Sequence, residues 1–119
     1  MRVAFVALMA LTCLEACEPV GATHNGLGDP TRGKTVITSV QCGACHQIPG
    51  VVGADGQVGP PLDGFARRTI IAGVLPNTPV NLVRWLQSPQ SVKPGDAMPD
   101  TGLTDQEAND AAAYISRLY

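Results

Sequence analysis

Aromatic side chains are scarce in this chain. Only 4 % of its 119 residues are aromatic, namely Phe5, Phe65, Trp85, Tyr114 and Tyr119. A chain of this length forms one small domain, and a small domain has difficulty burying enough apolar surface to be stable on its own. We therefore expect a large apolar cofactor to supply part of the core.

The sequence also lacks a long apolar run and an excess of charge of either sign. The apolar stretch at residues 3–11 is too short for a bilayer, which needs about twenty apolar residues. The net charge is −2 and the basic residues form no stripe, so nucleic acid is not expected as a partner. The 13 glycines and 10 prolines instead predict short helices joined by long loops.

Residues 1–17 have the features of an export signal. Arg2 precedes the apolar stretch, and a small residue stands directly before Cys17. Leu14 and Ala16 resemble the processing site of a bacterial lipoprotein, in which the cysteine that follows is lipidated. We therefore predict export to the periplasmic side and a membrane anchor at Cys17. Ordinary signal cleavage, which would leave a soluble periplasmic protein, and a Cys13–Cys17 disulfide or idle thiols are the alternatives.

Residues 18–28 read as a flexible linker between this signal and a domain at residues 29–119. The segment contains three glycines and one proline and has few apolar side chains. His24 lies here. A single histidine in a linker is expected to be solvated rather than to bind a metal.

The segment Cys42-Gly43-Ala44-Cys45-His46 has the attachment pattern of a c-type haem. Each thiol can add to one vinyl group of the porphyrin, and the two-residue spacer places both sulfurs on one side of a helical turn. The imidazole of His46 then reaches the iron. A thioredoxin-like redox pair would need a βαβ context, and a zinc site would need a fourth ligand beside these three residues. The pattern therefore predicts one covalently bound haem c.

Met98 is the predicted second axial ligand of the haem iron, opposite His46. It stands in a loop before Pro99, and the other two methionines, Met1 and Met9, lie in the N-terminal segment. A thioether sulfur suits ferrous iron, and a Met/His pair raises the reduction potential of a haem. The alternative is a methionine that fills the core.

Three further residues are predicted to line the haem site. The carbonyl of Pro60 can accept a hydrogen bond from the second ring nitrogen of His46 and so fix the ring. Arg67 or Arg68 can face a haem propionate, and of these two we name Arg67. Trp85 is expected to pack on the haem, with its indole N–H available to a polar partner.

Three helices are predicted from capping residues and periodicity. The first begins at Pro30 after Asp29 and ends near Val40. The second begins after Thr78 and ends near Ser88, and the third begins at the capping box Thr104–Glu107. Small residues on the last helix are expected to face Gly33 and Ile37 on the first. The apolar run at residues 70–75 is expected to form a wall of the cofactor site rather than a strand, and residues 90–99 are expected to form a loop.

Together these residues resemble the class I c-type cytochromes, which carry a single haem. The resemblance covers residues 29–119 and rests on the segments CGACH at 42–46, GPPL at 59–62, NLVRWLQSP at 81–89, KPGDAMP at 93–99 and AAYI at 112–115. Residues 59–99 are also similar to bacterial cytochromes associated with haem-copper terminal oxidases. The resemblance implies an all-α fold of three to five short helices around haem c, with His46 and Met98 as ligands and the Pro60 carbonyl behind His46.

The expected function is one-electron transfer in a respiratory chain, without enzymatic activity of its own. The expected partners are a quinol-oxidising complex as donor and a terminal oxidase or reductase as acceptor. The protein is expected to be a monomer or an oxidase-associated subunit. Because no ring of lysines is apparent, a more apolar contact with these partners is expected. One alternative is a haem peroxidase or gas sensor whose Met98 dissociates, and another is a binding module without haem, held by zinc or a disulfide.

Overall fold

The computed structural model describes residues 28–119, and within them the chain forms four α-helices, α1–α4. Their bounds are Pro30–Ser39, Pro79–Gln87, Pro89–Val92 and Asp105–Ile115. Two 3₁₀ helices, Cys42–Ala44 and Phe65–Arg67, lie between α1 and α2. The expectation of three to five short helices is confirmed. Among residues 28–119, no helix is long and apolar enough to cross a membrane.

The predicted capping residues begin three of these helices. Asp29 accepts hydrogen bonds from the N–H groups of Thr31 and Arg32, at 2.7 and 3.2 Å, and Pro30 follows it as the first helical residue. Thr78 caps α2 in the same way. Thr104 and Glu107 form the complete capping box at the start of α4. The helix starts were therefore correctly predicted from local chemistry.

Helices α1 and α4 cross at close range, as the small residues predicted. Gly33 and Ile37 are buried on α1, and Ala108, Ala111, Ala112 and Ile115 are buried on α4. A Cβ atom on Gly33 would overlap the backbone carbonyl of Asp110. The absence of that atom allows the two backbones to approach.

Two predictions of local structure were wrong. Residues 70–75 are not only a wall, because Ile70–Ile71 form a strand, β1, that pairs antiparallel with a second strand, β2, at Leu75–Pro76. The partner strand was missed because it lies only four residues along the same apolar run and contains a proline. The segment after Ser88 is not entirely a loop, because Pro89 begins the single turn of α3.

The apolar core lies between these helices and one wall of a large cavity. Its fully buried side chains include Ile37 on α1, Ile71 on β1 and Leu82 on α2. Trp85, Met98 and Tyr114 are half-buried and pack against this core. Of the described aromatic residues, only Phe65 is buried, so few aromatic side chains fill the interior.

Candidate functional site

The two cysteines of the CGACH segment lie on one tight turn at the cavity. Gln41 precedes the turn in a left-handed conformation, with φ of 59°. The N–H groups of Cys45 and His46 both donate to the carbonyl of Cys42, at 3.2 and 3.0 Å. Both thiols are free of disulfide bonds, half-buried and part of the cavity wall. Burial raises the pKa of the Cys42 thiol.

His46 is held by a backbone carbonyl behind it. Its Nδ1 lies 2.7 Å from the carbonyl oxygen of Pro60. A carbonyl oxygen can only accept, so Nδ1 carries the proton and donates, which leaves the lone pair on Nε2. The chain at residue 59 is also tied down, because the Gly59 N–H donates to the Cys45 carbonyl at 2.8 Å. The ring therefore has a defined tautomer and a fixed position on the cavity wall.

Met98 lies on the same cavity, in the loop between α3 and α4. Its N–H donates to the Asp96 carboxylate at 3.1 Å. The Lys93 ammonium pairs with the same carboxylate at 3.0 Å. The hydrogen bond from Met98, followed by the one from Lys93, lowers the pKa of Asp96. The thioether is half-buried against the core.

The cavity that these residues share has a volume of about 760 Å³. Four of its lining residues carry sulfur or imidazole, namely Cys42, Cys45 and His46 on the CGACH turn and Met98 on the methionine loop, residues 93–100. The rest of the wall is largely apolar. Trp85 contributes from α2, Phe65 from the second 3₁₀ helix and Ile71 from β1. Pro60 is also part of the wall. The structure thus brings together most of the site residues named from the sequence.

Arg68 lines the cavity, whereas Arg67 does not. Arg67 is the last residue of the 3₁₀ helix at Phe65–Arg67 and is exposed. The backbone leaves the 3₁₀ helix and becomes extended at Arg68, whose side chain is half-buried. The Arg68 guanidinium lies 5.3 Å from the centre of the Phe65 ring and donates to the carbonyls of Pro61 and Asp63. The sequence offered both arginines, and the conformation at this turn distinguishes them.

The described part of the chain offers no alternative metal centre. Within residues 28–119, no three His, Cys, Asp or Glu side chains are grouped so that they could hold a metal ion. Cys13, Cys17 and His24 lie outside the described residues. The predicted lipid anchor at Cys17 therefore stays a prediction.

Two polar residues that connect separate parts of the fold were not singled out from the sequence. Gln90 lies on α3 and forms hydrogen bonds to the methionine loop. Asp110, only 3 % exposed, joins α4 to the start of α1. Neither residue belongs to a motif, and the partners of each are distant in sequence or lie in irregular loop, so no local signal indicates them.

The cytochrome c family model matches residues 30–118. Two similar curated proteins are each named cytochrome c oxidase subunit 2. The protein of Alkalihalophilus pseudofirmus is 36 % identical over 87 residues, and that of Bacillus subtilis is 33 % identical over 91 residues. Each match covers 73 % of this chain but only 24 % and 26 % of the two relatives. The chain thus spans about a quarter of the length of these relatives.

Two solved structures share the fold. SoxXA from P. pantotrophus superposes with a TM-score of 0.61 at 23 % identity, over 77 % of this chain and 82 % of that one. Cytochrome c2 from Rhodobacter sphaeroides superposes with a TM-score of 0.53 at 23 % identity, over 76 % of this chain and 96 % of that one. At this identity the likeness concerns the fold alone.

Proposed function

This chain belongs to the cytochrome c family, and from that membership we propose a monohaem one-electron carrier whose iron is held between His46 and Met98. The family match confirms the predicted all-α cytochrome c fold and the covalently bound haem c. It also makes electron transfer the general role of the domain. The axial ligands, the redox partners and the cellular compartment are proposed in the paragraphs that follow.

The cavity fits haem c in shape and in chemistry. Both free thiols lie on its wall, where each can form a thioether, and the large apolar lining suits a flat apolar ring system. When bound, the haem supplies an iron that cycles between Fe(II) and Fe(III). The chain supplies the ligands, the apolar surroundings and the fixed geometry, and these are the levers by which a protein sets the reduction potential.

One observation carries the assignment of the ligands. The same cavity is lined by both cysteines, by His46 and by Met98. The hydrogen bond of His46 to Pro60 leaves Nε2 with the lone pair that a ligand needs. Met98 offers a soft sulfur donor from a separate loop. If His46 and Met98 both hold the iron, no position would remain open for a substrate, and an electron carrier would be favoured over a peroxidase or a gas sensor.

Arg68 and Trp85 are the candidates to meet the polar edge of the cofactor. Both line the cavity. A guanidinium matches the planar geometry of a carboxylate, and an indole N–H is a donor only. We therefore propose that Arg68, rather than Arg67, faces a haem propionate, and that Trp85 packs on the ring.

The rim of the cavity suits a largely uncharged redox partner. Val40, Val58 and Ile70 line the cavity and are 41 %, 70 % and 47 % exposed. Lys93, the lysine on this wall, is paired with Asp96. Docking through such a rim depends on apolar contact more than on long-range attraction between charges. The names of the similar proteins support a terminal oxidase as the acceptor. The proposed donor is a quinol-oxidising complex.

The partner assignment is tested by stopped-flow oxidation of the purified, reduced protein by the terminal oxidase of its host. We expect rapid oxidation whose rate constant changes less than about threefold as ionic strength rises from 0.01 to 0.15 M, about the range over which the screening length falls from 30 to 8 Å. A matched Val58→Lys variant should acquire a marked salt dependence. Failure of the oxidase to oxidise the protein would contradict the assignment.

We also propose that the protein is exported and held at the periplasmic side of the membrane by a lipid on Cys17. The order of a basic residue, an apolar stretch and a small residue directly before Cys17 supports this. Acyl chains contribute about 0.8 kcal/mol for each buried CH₂ group. Cys17→Ser should release the protein from membranes, with Cys13→Ser as the matched control. Retention of Cys17→Ser and release of Cys13→Ser would place the anchor at Cys13.

A further inference from the structure

Gln90 is the second residue of α3 and faces the loop that carries Met98. Its amide group makes three hydrogen bonds to that loop. Nε2 donates to the carbonyls of Asp96 and Met98, each at 2.8 Å, and Oε1 accepts from the N–H of Gly95 at 3.0 Å. Both hydrogens of the amide and its oxygen are therefore used on one short stretch of backbone.

The backbone of Gln90 binds the far side of the same loop. Its N–H donates to the Asp100 carboxylate at 3.0 Å. Gln90 thus contacts the chain on both sides of Met98. Its side chain binds residues 95, 96 and 98, and its main-chain N–H binds residue 100. The helix that carries Gln90 is itself anchored, because Pro89 is fully buried.

We propose that Gln90 is a positioning residue that holds Met98 in the geometry needed to ligate the haem iron, an inference that rests on the function proposed above. A methionine side chain has three rotatable bonds and adapts to its surroundings, so the placement of its sulfur depends on a fixed backbone. Residues 93–104 contain no regular helix or strand. Hydrogen bonds from a neighbouring element must therefore replace the ones that regular structure would supply.

Other contacts of the loop are weaker candidates for this role. The pair between Lys93 and Asp96 joins side chains that are 47 % and 21 % exposed, and such pairs contribute little in water. The Asp96 carboxylate also binds the Met98 N–H, but it belongs to the same loop and moves with it. Among the described side chains that bind this loop, Gln90 is the one that reaches the carbonyl of Met98 from a neighbouring helix.

The test uses the haem-loaded protein with Gln90→Glu and Gln90→Ala. Gln90→Glu keeps the shape of the side chain but removes both amide donors, whereas Gln90→Ala removes the whole group. Net loss of one hydrogen bond changes an equilibrium constant by roughly three- to tenfold. We expect both variants to bind imidazole at the ferric iron at least about fivefold more tightly than the parent protein. Their long-wavelength ferric absorption band, which reports methionine sulfur on the iron, should weaken.

Gln87→Ala is the matched control. Gln87 is also a half-buried glutamine, and its amide binds Asp105 at 2.8 Å and the Leu103 carbonyl at 3.4 Å, beyond the methionine loop. This variant should unfold at lower denaturant concentration while it keeps the absorption band and the imidazole affinity of the parent. A merely structural role for Gln90 would make all three variants behave alike.

Met98→Ala distinguishes a failure of the role proposed for Gln90 from a failure of the assignment of Met98 as an iron ligand. If Met98→Ala raises imidazole affinity and abolishes the band while both Gln90 variants leave them unchanged, Gln90 does not position the ligand and the inference is overturned. If Met98→Ala itself leaves both unchanged, the ligand assignment fails instead.

A measurement on the unmodified protein covers the case in which the Gln90 variants do not fold. The Gly95 amide donates to Gln90, so in the folded holoprotein its exchange with solvent should be slowed at least about tenfold relative to an open amide. Exchange at the rate of an open amide would contradict the proposed hold of Gln90 on the loop that carries Met98.

Discussion

At Gly59 the backbone runs directly against the imidazole of His46. A Cβ atom built on this residue would overlap the ring at Cε1, Nδ1 and Nε2. The same stretch delivers the Pro60 carbonyl to Nδ1. Two consecutive residues therefore combine close approach of the main chain with the hydrogen bond that orients His46.

Gly59→Ala is predicted to disturb the orientation of His46. The added methyl group must displace either the ring or the chain that carries Pro60, and overpacking of this kind costs about 1–3 kcal/mol. Denaturant unfolding of the haem-loaded protein should show a loss of that size, together with a lower reduction potential. Val52→Ala, at a position that is 99 % exposed and does not line the cavity, is the control. Parent-like stability and potential in Gly59→Ala would count against the close packing.

At this scale the sequence indicated residues whose chemistry is unusual, and it missed residues whose chemistry is common. Two cysteines followed by a histidine, and one methionine beside a proline, carry reactive groups that few other functions require. The amide of Gln90 has the same hydrogen-bonding groups as any glutamine, and only the path of the loop makes it special. Arg67 and Arg68 likewise could be told apart only from the folded structure, in which Arg68 lines the cavity.

At the scale of elements, the crossing of α1 and α4 sets the position of the haem-attachment turn. The CGACH segment follows α1 after a two-residue connection. Tyr114 on α4 donates to the Pro49 carbonyl at 2.6 Å, which ties the last helix to the chain just beyond His46. The packing of α1 against α4 therefore fixes the position of the CGACH segment from both of its ends.

Gly33→Ala is predicted to destabilise the fold although alanine is the better helix former. The propensity gain is at most about 1 kcal/mol, whereas the methyl group would overlap the Asp110 carbonyl on α4. Overpacking of a well-packed contact costs about 1–3 kcal/mol, so the net change should be a loss. Thermal or denaturant unfolding measures it, with the exposed Lys34→Ala as control. A gain in stability would contradict the prediction, because it would show that α1 and α4 can move apart enough to accommodate the methyl group without a loss of free energy.

A buried carboxylate, that of Asp110, joins the same two helices. It accepts from the Asp29 N–H at 2.6 Å, from the Arg32 guanidinium at 2.9 and 3.1 Å and from Gln106 at 3.0 Å. Burial acts to raise the pKa of Asp110, but the hydrogen bonds from Arg32, Asp29 and Gln106 outweigh it, and the pKa lies below its ordinary value of 3.8. The ionised form is therefore the one that the fold favours.

The contribution of Asp110 to the free energy of unfolding is predicted to decrease as the pH falls. Because its pKa is lower in the folded than in the unfolded protein, the contribution is present above the unfolded value near 3.8 and is lost as the pH falls through the folded value. Hydrogen bonds also lower the pKa of Asp29 and Glu107, and these groups act in the same direction. At pH 7, Asp110→Asn should cost about 1–3 kcal/mol, and the difference from the parent should shrink in acid.

This prediction is measured by urea unfolding of both proteins between neutral pH and pH 3. The exposed Asp63→Asn serves as the control for a general change of charge. A difference between Asp110→Asn and the parent that stays constant over this range would contradict the assigned role.

The elements with a local start signal were predicted well, and those that depend on tertiary contacts were not. Asp29, Thr78 and the Thr104–Glu107 box begin helices by satisfying free N–H groups nearby. The strand pair at residues 70–76 consists of two residues on each side, too few to show an alternating pattern. Helix α3 is a single turn, which lies below the length that periodicity can reveal.

At the scale of the whole molecule, the scarcity of aromatic residues and the large cavity have one explanation. The described part of the chain buries small and aliphatic side chains and encloses a cavity of about 760 Å³. In the proposed holoprotein, covalent haem c would fill the interior that a larger domain fills with its own side chains. The composition of the sequence predicted a cofactor in the core, because few aromatic side chains are available to fill it.

The central claim is that the iron is closed by a protein ligand on each face. Carbon monoxide added to the fully reduced, haem-loaded protein tests it most directly, because the gas binds ferrous haem only where a coordination position is free. We predict that the absorption spectrum of the parent protein stays unchanged, while Met98→Ala, which should retain its covalent haem, converts to the carbon monoxide complex. Rapid formation of that complex by the parent protein would contradict the account and would favour a gas sensor or peroxidase.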